Sequence, residues 1–308
     1  MGTNVRRRTV GIAGFDVPVV EVTGSGDGPR LTVIAGVHGC EYASMAGVRQ
    51  WSSGLGALDL RGSVLAVPVL NLPAFEARSP FVIPADGKNL NRYFPGDPAG
   101  TLTERFAHDA FAKLIAGSDA VIDAHCGDQP EALEPFALYD AGPAEERALG
   151  LALAYGLGYI IRQEPGPDRP ISGTSSAAAA GIGIPAITAE AGGCGIIETA
   201  AVGLHVRGLN QVLAHLGMVE GGASAGPGAA PVRLTRFIWL RCADAGWWSP
   251  AVEPGDSVSE GQVLGTVSTL DGAEVLQTIE APADGVPMFI TSSPAVAADG
   301  LLLGLGAA

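Results

Sequence analysis

A histidine and a glutamate stand three residues apart where a predicted strand gives way to a helix. His38 and Glu41 follow the apolar run at residues 31–37, and residues 41–55 then have helical spacing. An imidazole and a carboxylate placed there can converge above the end of the strand and form half of a metal site. Taken alone, the pair is equally compatible with a metal-free turn.

A third metal ligand is predicted at His125, the last residue of the apolar run DAVIDAH. Catalytic zinc sites use three protein ligands and leave one position open for water. Two neighbouring strand ends would then share the ion, which favours the metal-site interpretation. Asp123, on the same strand face, could orient the His125 ring, although a buried aspartate with backbone partners is an equal alternative.

Glu190 is a candidate general base. It ends the run IPAITAE and precedes Ala-Gly-Gly, so it is another strand-end carboxylate. A carboxylate that approaches the metal without binding it can take a proton from the attacking water. Taken alone, a solvated glutamate at the end of a strand is the plainer interpretation.

The loop peptide KNLNRYFPG places Asn91 beside Arg92. The planar guanidinium of arginine can bind a carboxylate through two parallel hydrogen bonds, and an asparagine can add a third donor. The pair predicts an anionic small-molecule substrate. An exposed arginine in a surface ion pair is the ordinary alternative.

These residues must be positioned by elements that alternate between strand and helix. The alternation predicts an α/β fold with a mixed sheet, helices on both faces and ligands at the carboxyl ends of the strands. The loop at residues 71–100 is longer than a connection needs and is therefore expected to be functional or disordered. Further strands are predicted at residues 63–70, 119–125, 159–163 and 184–190, and further helices at 103–117, 143–156, 174–181 and 198–216.

A glycine-rich stretch after Glu220 predicts a boundary between a catalytic domain at residues 1–222 and a small β-domain at residues 233–308. The segment VEPGDSVSEGQVLGTV in the second part resembles a biotinyl or lipoyl carrier barrel. No lysine follows Lys113, so a carrier function is excluded. A structural or pocket-closing role is left for this part.

The composition excludes several functional classes. A net charge of -14 with no basic run excludes a nucleic-acid partner. The sequence contains no apolar stretch long enough for a membrane span and no recognisable signal peptide, so we expect a cytoplasmic protein that does not bind membranes. Four scattered cysteines fit neither a disulfide scaffold nor a cysteine zinc site. A homo-oligomer is left open.

Four motifs in order, HGCE, DGKNLNRYFPG, DAHCGD and TAEAGG, resemble those of the succinylglutamate desuccinylase/aspartoacylase family over about residues 30–220. The resemblance implies a zinc carboxypeptidase-like fold and is strongest to the N-acetyl-diaminobutyrate deacetylase-type subgroup. It also implies an arginine that polarises the scissile carbonyl, for which Arg78 is the nearest candidate although its spacing does not match cleanly. The other implied roles are Zn²⁺ binding by His38, Glu41 and His125, catalysis by Glu190, and carboxylate binding by Asn91 and Arg92.

The predicted function is that of a zinc-dependent amidohydrolase that removes the acyl group from an N-acyl amino acid or a related small carboxylate-bearing amide. Two alternatives stay open. A zinc carboxypeptidase acting on peptides would use the same ligands and the same carboxylate-binding pair. A metal-free binding protein would keep the fold and a ligand pocket, but an intact ligand set with Glu190 argues against it.

Overall fold

The computed structural model describes residues 3–164, 173–220 and 230–308 of the chain. Its helices are α1 (Tyr42–Gly54), α2 (Leu72–Ala77), α3 (Leu102–Ala110), α4 (Glu145–Tyr155), α5 (Ser175–Gly181) and α6 (Thr199–His215). Its strands are β1 (Asn4–Ile12), β2 (Phe15–Thr23), β3 (Gly26–Ala35), β4 (Arg61–Val67), β5 (Val82–Ile83), β6 (Lys88–Asn89), β7 (Ala120–His125), β8 (Glu131–Leu133), β9 (Phe136–Asp140), β10 (Tyr159–Gln163), β11 (Ala186–Glu190), β12 (Val232–Leu234), β13 (Arg236–Arg241), β14 (Gly246–Pro250), β15 (Val263–Ser268), β16 (Val275–Glu280), β17 (Val286–Thr291), β18 (Ala295–Val296) and β19 (Leu301–Ala307).

A nine-stranded mixed sheet forms the centre of the molecule, with the order β1-β2-β4-β3-β7-β11-β9-β10-β12. Strands β4, β3, β7 and β11 run parallel to one another, whereas β9 is antiparallel to β11. Because neighbouring parallel strands end at the same edge, the carboxyl ends of β3, β7 and β11 meet there. The three predicted strand-end motifs therefore reach one edge of one sheet.

Helices cover both faces of this sheet, as the α/β alternation predicted. Alternate residues of β3 belong to different cores: Leu31 and Val33 pack in one hydrophobic cluster, and Ile34 packs in the other. The first cluster includes buried residues of α1, α4 and α6, and the second includes residues of α3 and α5. Burial on both faces explains why the central strands are continuous apolar runs. The predicted fold class is confirmed.

The chain after residue 230 is rich in strands, as predicted, and forms two four-stranded sheets, β13-β19-β17-β8 and β16-β15-β14-β18. One strand of the first sheet, β8, comes from the chain between β7 and β9, and β12 adds to the edge of the nine-stranded sheet. Leu234 and Met288 also share a hydrophobic cluster with Phe136 and Ile161. The division into domains at 1–222 and 233–308 stays a prediction, and most of the glycine-rich stretch on which it rests lies outside the described residues.

Several strands were absent from the sequence interpretation. The hairpin of β1 and β2 turns at Ala13 and Gly14, which both have positive φ, and its two strands show the alternating exposure of a sheet edge. The buried strand β9 and the last strand β19 were also missed. None of the helices in the described ranges is both long and apolar enough to cross a membrane. The cytoplasmic location stays a prediction.

Candidate metal centre and active site

The turn between β3 and α1 places His38 and Glu41 at the edge of the sheet. A Cβ atom on Gly39 would lie 2.4 Å from the carbonyl carbon of Ala74, so the close approach of these two backbone segments requires glycine at this position. Helix α1 begins directly after Glu41. The tight packing of the turn against the Ala74 backbone explains the glycine of the motif H-G-x-E. The same turn holds the His38 and Glu41 side chains in a buried position.

His38, Glu41 and His125 form one buried cluster whose ligand atoms lie within 4.8 Å of one another. The Nδ1 atom of His38 lies 2.5 Å from Glu41 Oε1, and the Nδ1 atom of His125 lies 2.9 Å from Glu41 Oε2. The structure thus brings together the two strand ends that the sequence predicted would share a metal ion.

The opposite nitrogen of each imidazole faces an oxygen atom. His38 Nε2 lies 3.1 Å from Asn89 Oδ1, and His125 Nε2 lies 3.0 Å from Asp123 Oδ1. Metal-binding histidines commonly direct one ring nitrogen to such an oxygen, because this contact fixes the tautomer and the ring orientation. Asp123 is fully buried, and its other oxygen accepts a hydrogen bond from Ser175. Both rings therefore present Nδ1 to the centre of the cluster.

The cluster fits a cationic ligand. Glu41 Oε2 is buried but has no well-aligned hydrogen-bond partner within the described residues. Burial alone would raise the pKa of Glu41, but the positive charge of His125 and then that of His38 lower it to about 2. Burial would lower the pKa of His125, whereas Asp123 and Glu41 raise it well above the usual value. Both shifts show that this position strongly favours positive charge, which a divalent ion would supply.

Glu190 lies beside this cluster in the sheet. In the parallel ladder between β7 and β11 it is the direct partner of His125. The next turn contains Gly192 at φ +88, where a Cβ atom would lie 2.7 Å from the Cβ of Ala201, so this turn also requires glycine. Burial raises the pKa of Glu190 to about 8, against the positive charge of His125. No hydrogen bond from the described residues reaches its carboxylate, so Glu190 can act on a group in the cavity.

The cluster opens into a cavity of about 610 Å³ that is lined by both main parts of the chain. Asn91 and Arg92 line it from the loop after β6, where Asn91 Oδ1 accepts a hydrogen bond from the backbone N–H of Ser175. This bond leaves the amide nitrogen of Asn91 as its remaining donor. The Arg92 guanidinium carbon lies 6.0 Å from the centre of the Trp239 ring, a cation–π contact that limits its positions.

A sequence model of the succinylglutamate desuccinylase/aspartoacylase catalytic domain matches residues 27–216. The chain belongs to this family. An N-alpha-acetyl-L-2,4-diaminobutyric acid deacetylase from Halomonas elongata is 33% identical over 254 residues, which cover 80% of this chain and 73% of the relative. The resemblance seen in the four motifs is thereby confirmed, and membership of a family of deacylases makes the chain a hydrolase.

Solved structures share the fold over almost the whole chain. A product-bound ectoine utilization protein EutE (DoeB) from Ruegeria pomeroyi aligns with a TM-score of 0.85 at 23% identity, over 100% of this chain and 96% of that chain. A family member from Rhodobacter sphaeroides aligns with a TM-score of 0.83 at 23% identity, over 99% of this chain and 95% of that chain. Both alignments include the strand-rich region after residue 230, which is therefore part of the family architecture.

Arg78, the candidate for polarising the scissile carbonyl, lies at the end of α2. It ends α2 in the left-handed conformation with φ 52, its side chain is exposed, and it is not among the residues that line the cavity. Its assignment to the scissile carbonyl stays a prediction without support from its position. Among the described residues, two arginines line the cavity, Arg92 and Arg241.

Several cavity residues were missed by the sequence interpretation. Glu131, six residues after His125, brings another carboxylate into the cavity, and burial raises its pKa to about 7. The strands after residue 230 contribute an aromatic wall, so the predicted pocket-closing role of this part agrees with the cavity lining. The indole Nε1 of Trp239 in this wall is buried without a hydrogen-bond partner among the described residues. The wall consists of Phe237, Trp239 and Phe289.

A buried histidine supports the backbone next to Glu190. His205 Nε2 lies 3.2 Å from the Ala191 carbonyl oxygen, and His205 Nδ1 lies 2.7 Å from the Tyr155 hydroxyl. Burial lowers the pKa of His205 to about 4. The neutral ring can therefore donate to Ala191 and accept a hydrogen bond from Tyr155.

We expect Tyr155→Phe to destabilise the protein by about 1–3 kcal/mol, because it leaves a buried nitrogen of His205 without its donor. Chemical denaturation measures this loss. Tyr159→Phe is the matched control, because the Tyr159 hydroxyl makes no hydrogen bond within the described residues, and it should change the free energy of unfolding little. Equal stability of both variants would show that the Tyr155–His205 contact contributes nothing.

Proposed function

We propose that the protein is a zinc-dependent deacylase of N-acyl amino acids whose substrates include Nα-acetylated diamino acids. The convergence of His38, Glu41 and His125 beside Glu190 at one cavity is the observation that carries this proposal. Two imidazoles and one carboxylate are a donor set that suits zinc and leaves a position open. The similarity to the Halomonas elongata deacetylase of N-alpha-acetyl-L-2,4-diaminobutyric acid supports the acetyl group and the diamino acid.

The residues of the chain would divide the reaction between them. When bound, the zinc ion lowers the pKa of a water molecule and polarises the substrate carbonyl. Glu190 accepts a proton from the attacking water and then donates it to the departing amine, so the amide bond breaks without a covalent intermediate on the chain. Arg92 and Asn91 bind the carboxylate of the substrate and thereby orient the amide.

A substrate panel tests the proposal. The zinc-loaded protein should hydrolyse Nα-acetyl-2,4-diaminobutyrate and other N-acetyl amino acids, and release of the free amine measures the reaction. The panel also contains N-succinyl and aryl amides of amino acids and short peptides. Cleavage of peptides alone would instead make the protein a carboxypeptidase, and cleavage of no member would contradict the enzymatic assignment.

We expect Arg92→Ala to weaken binding of substrates that carry a free carboxylate by about 10- to 100-fold, because a charged hydrogen bond to a carboxylate contributes about 1.5–3 kcal/mol. The loss should appear mainly in KM, and methyl esters of the same substrates should lose much less. Parallel kinetics on acid and ester pairs measure the difference.

Arg105→Ala is the control for this experiment. Arg105 lies on α3, donates to the Gly100 carbonyl oxygen at the surface and does not line the cavity. Its substitution should leave KM unchanged for both substrates. Equal losses for acid and ester in Arg92→Ala would assign Arg92 a role other than carboxylate binding.

A further inference from the structure

The cavity contains a carboxylate that the proposed reaction does not use. Glu131 begins β8, where its direct partner in the antiparallel ladder is Thr291 of β17. Its Oε2 accepts a hydrogen bond of 3.2 Å from the backbone N–H of Asp128, and no lysine or arginine of the described chain lies within ion-pair distance of it. An unpaired carboxylate in a largely desolvated cavity costs desolvation free energy unless a ligand of opposite charge binds to it.

The charged residues that line the cavity indicate which charge a ligand of Glu131 would carry. Its described lining contains the carboxylates of Glu41, Glu131 and Glu190 and the guanidinium groups of Arg92 and Arg241. A divalent ion at the metal cluster would neutralise Glu41 and Glu190, and we place the substrate carboxylate at Arg92. Arg241 is exposed and donates to the Asp299 carbonyl oxygen at the rim. Among the residues that the structure describes, Glu131 is thus left without a countercharge inside the cavity.

The surroundings of Glu131 fit a cation on a short alkyl chain. Leu133 follows on the same strand and pairs with Phe289 in the ladder, and both residues line the cavity. Methylene groups can pack against these apolar side chains while a terminal ammonium group reaches the carboxylate. Asn91 and Arg92 approach the same cavity from a different loop, so the two ends of a substrate would be bound by separate elements.

We propose that Glu131 binds the side-chain ammonium group of a diamino acid substrate and so selects cationic over neutral N-acyl amino acids. This proposal rests on the proposed function and specifies its substrate class. Glu131 is a specificity-determining residue in this arrangement and takes no part in bond cleavage. The carboxylate group of the substrate lies at Arg92, its amide at the metal cluster and its ammonium group at Glu131.

The test compares two substrates of nearly equal shape, Nα-acetyl-2,4-diaminobutyrate and Nα-acetylnorvaline, whose side chains end in an ammonium and a methyl group. Glu131→Gln keeps an oxygen that can accept from Asp128 but removes the charge. We expect it to lower kcat/KM for the cationic substrate by about 10- to 100-fold through KM, and to change the neutral substrate by less than about 3-fold. Zinc content should stay at one ion per chain, as measured by elemental analysis.

Glu134→Gln is the matched control. Glu134 lies three residues further on and is also partly buried, but it does not line the cavity. The Glu134→Gln substitution should leave the ratio of kcat/KM for the cationic and the neutral substrate unchanged. If Glu131→Gln leaves the ratio of kcat/KM for the two substrates unchanged, the proposal is overturned. It is also overturned if the wild type binds two zinc ions per chain and Glu131→Gln binds one, because Glu131 would then be a metal ligand.

Binding of the free amino acids separates failure of this proposal from failure of the proposed function. Calorimetry on the zinc-loaded protein should show that 2,4-diaminobutyrate binds more tightly than norvaline and that Glu131→Gln removes the difference. If the wild type cleaves neither acetylated substrate but keeps this binding preference, the proposed reaction fails and the cation site stands. Equal binding of the two amino acids by the wild type would reject the cation site.

Discussion

Replacing Glu190 with glutamine is expected to lower turnover of the N-acyl amino acid by about 10²- to 10⁴-fold, the contribution of a positioned general base. Glutamine keeps the size and the hydrogen-bonding groups of the side chain but cannot accept the proton. Glu190 is the ladder partner of His125, so it lies next to the metal cluster, yet it is not one of the three converging ligands. Metal content should therefore stay at that of the wild type.

The loss should appear in kcat rather than in KM. Arg92 and Asn91, which we propose bind the substrate carboxylate, belong to the loop after β6, and Glu190→Gln does not alter that loop. Steady-state kinetics together with elemental analysis of the purified variant measure both quantities.

Glu164→Gln is an informative control for the Glu190 experiment. Glu164 directly follows strand β10, its side chain is 65% exposed, and it forms an ion pair with Arg162. It is a solvated strand-end glutamate of the kind that was the alternative interpretation of Glu190. Its substitution should leave turnover unchanged. Near-normal turnover of Glu190→Gln would remove Glu190 from the mechanism, and loss of turnover together with metal would make it a ligand.

The strand-end motifs were predictable because local sequence contains the information that places them. Apolar runs ending in His125 and Glu190 identify buried strands, and parallel strands in an α/β sheet end at a common edge. The sequence therefore predicted that these residues lie close together without any long-range information. The helix after Glu41 was predicted at residues 41–55 and is found at Tyr42–Gly54.

The contributions of the C-terminal strands to the site could not be predicted in the same way. Glu131 lies in a three-residue strand whose pairing with β17 joins residues far apart in the sequence. The hydrophobic periodicity of a short segment cannot predict a pairing between strands so far apart in the sequence. The aromatic side chains of β13 and β17 look like ordinary core residues in the sequence, and the sheet β13-β19-β17-β8 explains how they reach the cavity.

The proposed role of Arg78 stays a prediction that its position in the structure does not support. The residue lies between two motifs of the family, but its left-handed backbone at the end of α2 and its exposed side chain keep it out of the cavity lining. At Gly39 the close approach of the Ala74 backbone requires glycine, and at Gly192 the positive φ and the nearby Ala201 side chain do so.

Removing one ligand should abolish stable metal binding. His125 is buried at the end of β7, and its Nδ1 faces the Glu41 carboxylate. His125→Ala leaves two ligands, and we expect zinc affinity to fall by more than about 100-fold, since loss of an outer contact to a ligand alone typically costs 10- to 100-fold. Elemental analysis after dialysis should find about one zinc per chain in the wild type and almost none in the variant.

Thermal unfolding supplies a readout that does not depend on activity. A ligand that binds only the folded protein stabilises it by about 2.7 kcal/mol at a free concentration 100 times its dissociation constant. Added zinc should therefore raise the Tm of the metal-stripped wild type but leave that of His125→Ala unchanged. Glu41→Gln is an independent variant that should give the same result even if His125→Ala folds poorly.

His205→Gln tests whether any buried histidine near the site would have this effect. His205 contacts Tyr155 and the Ala191 carbonyl oxygen and does not belong to the converging cluster. Its substitution should lower stability but keep both the zinc content and the zinc-dependent rise in Tm. Full zinc retention by His125→Ala would reject the ligand set of His38, Glu41 and His125. Loss of zinc from His205→Gln to the same extent would show that metal binding depends on the packing around the cluster rather than on its own donor atoms.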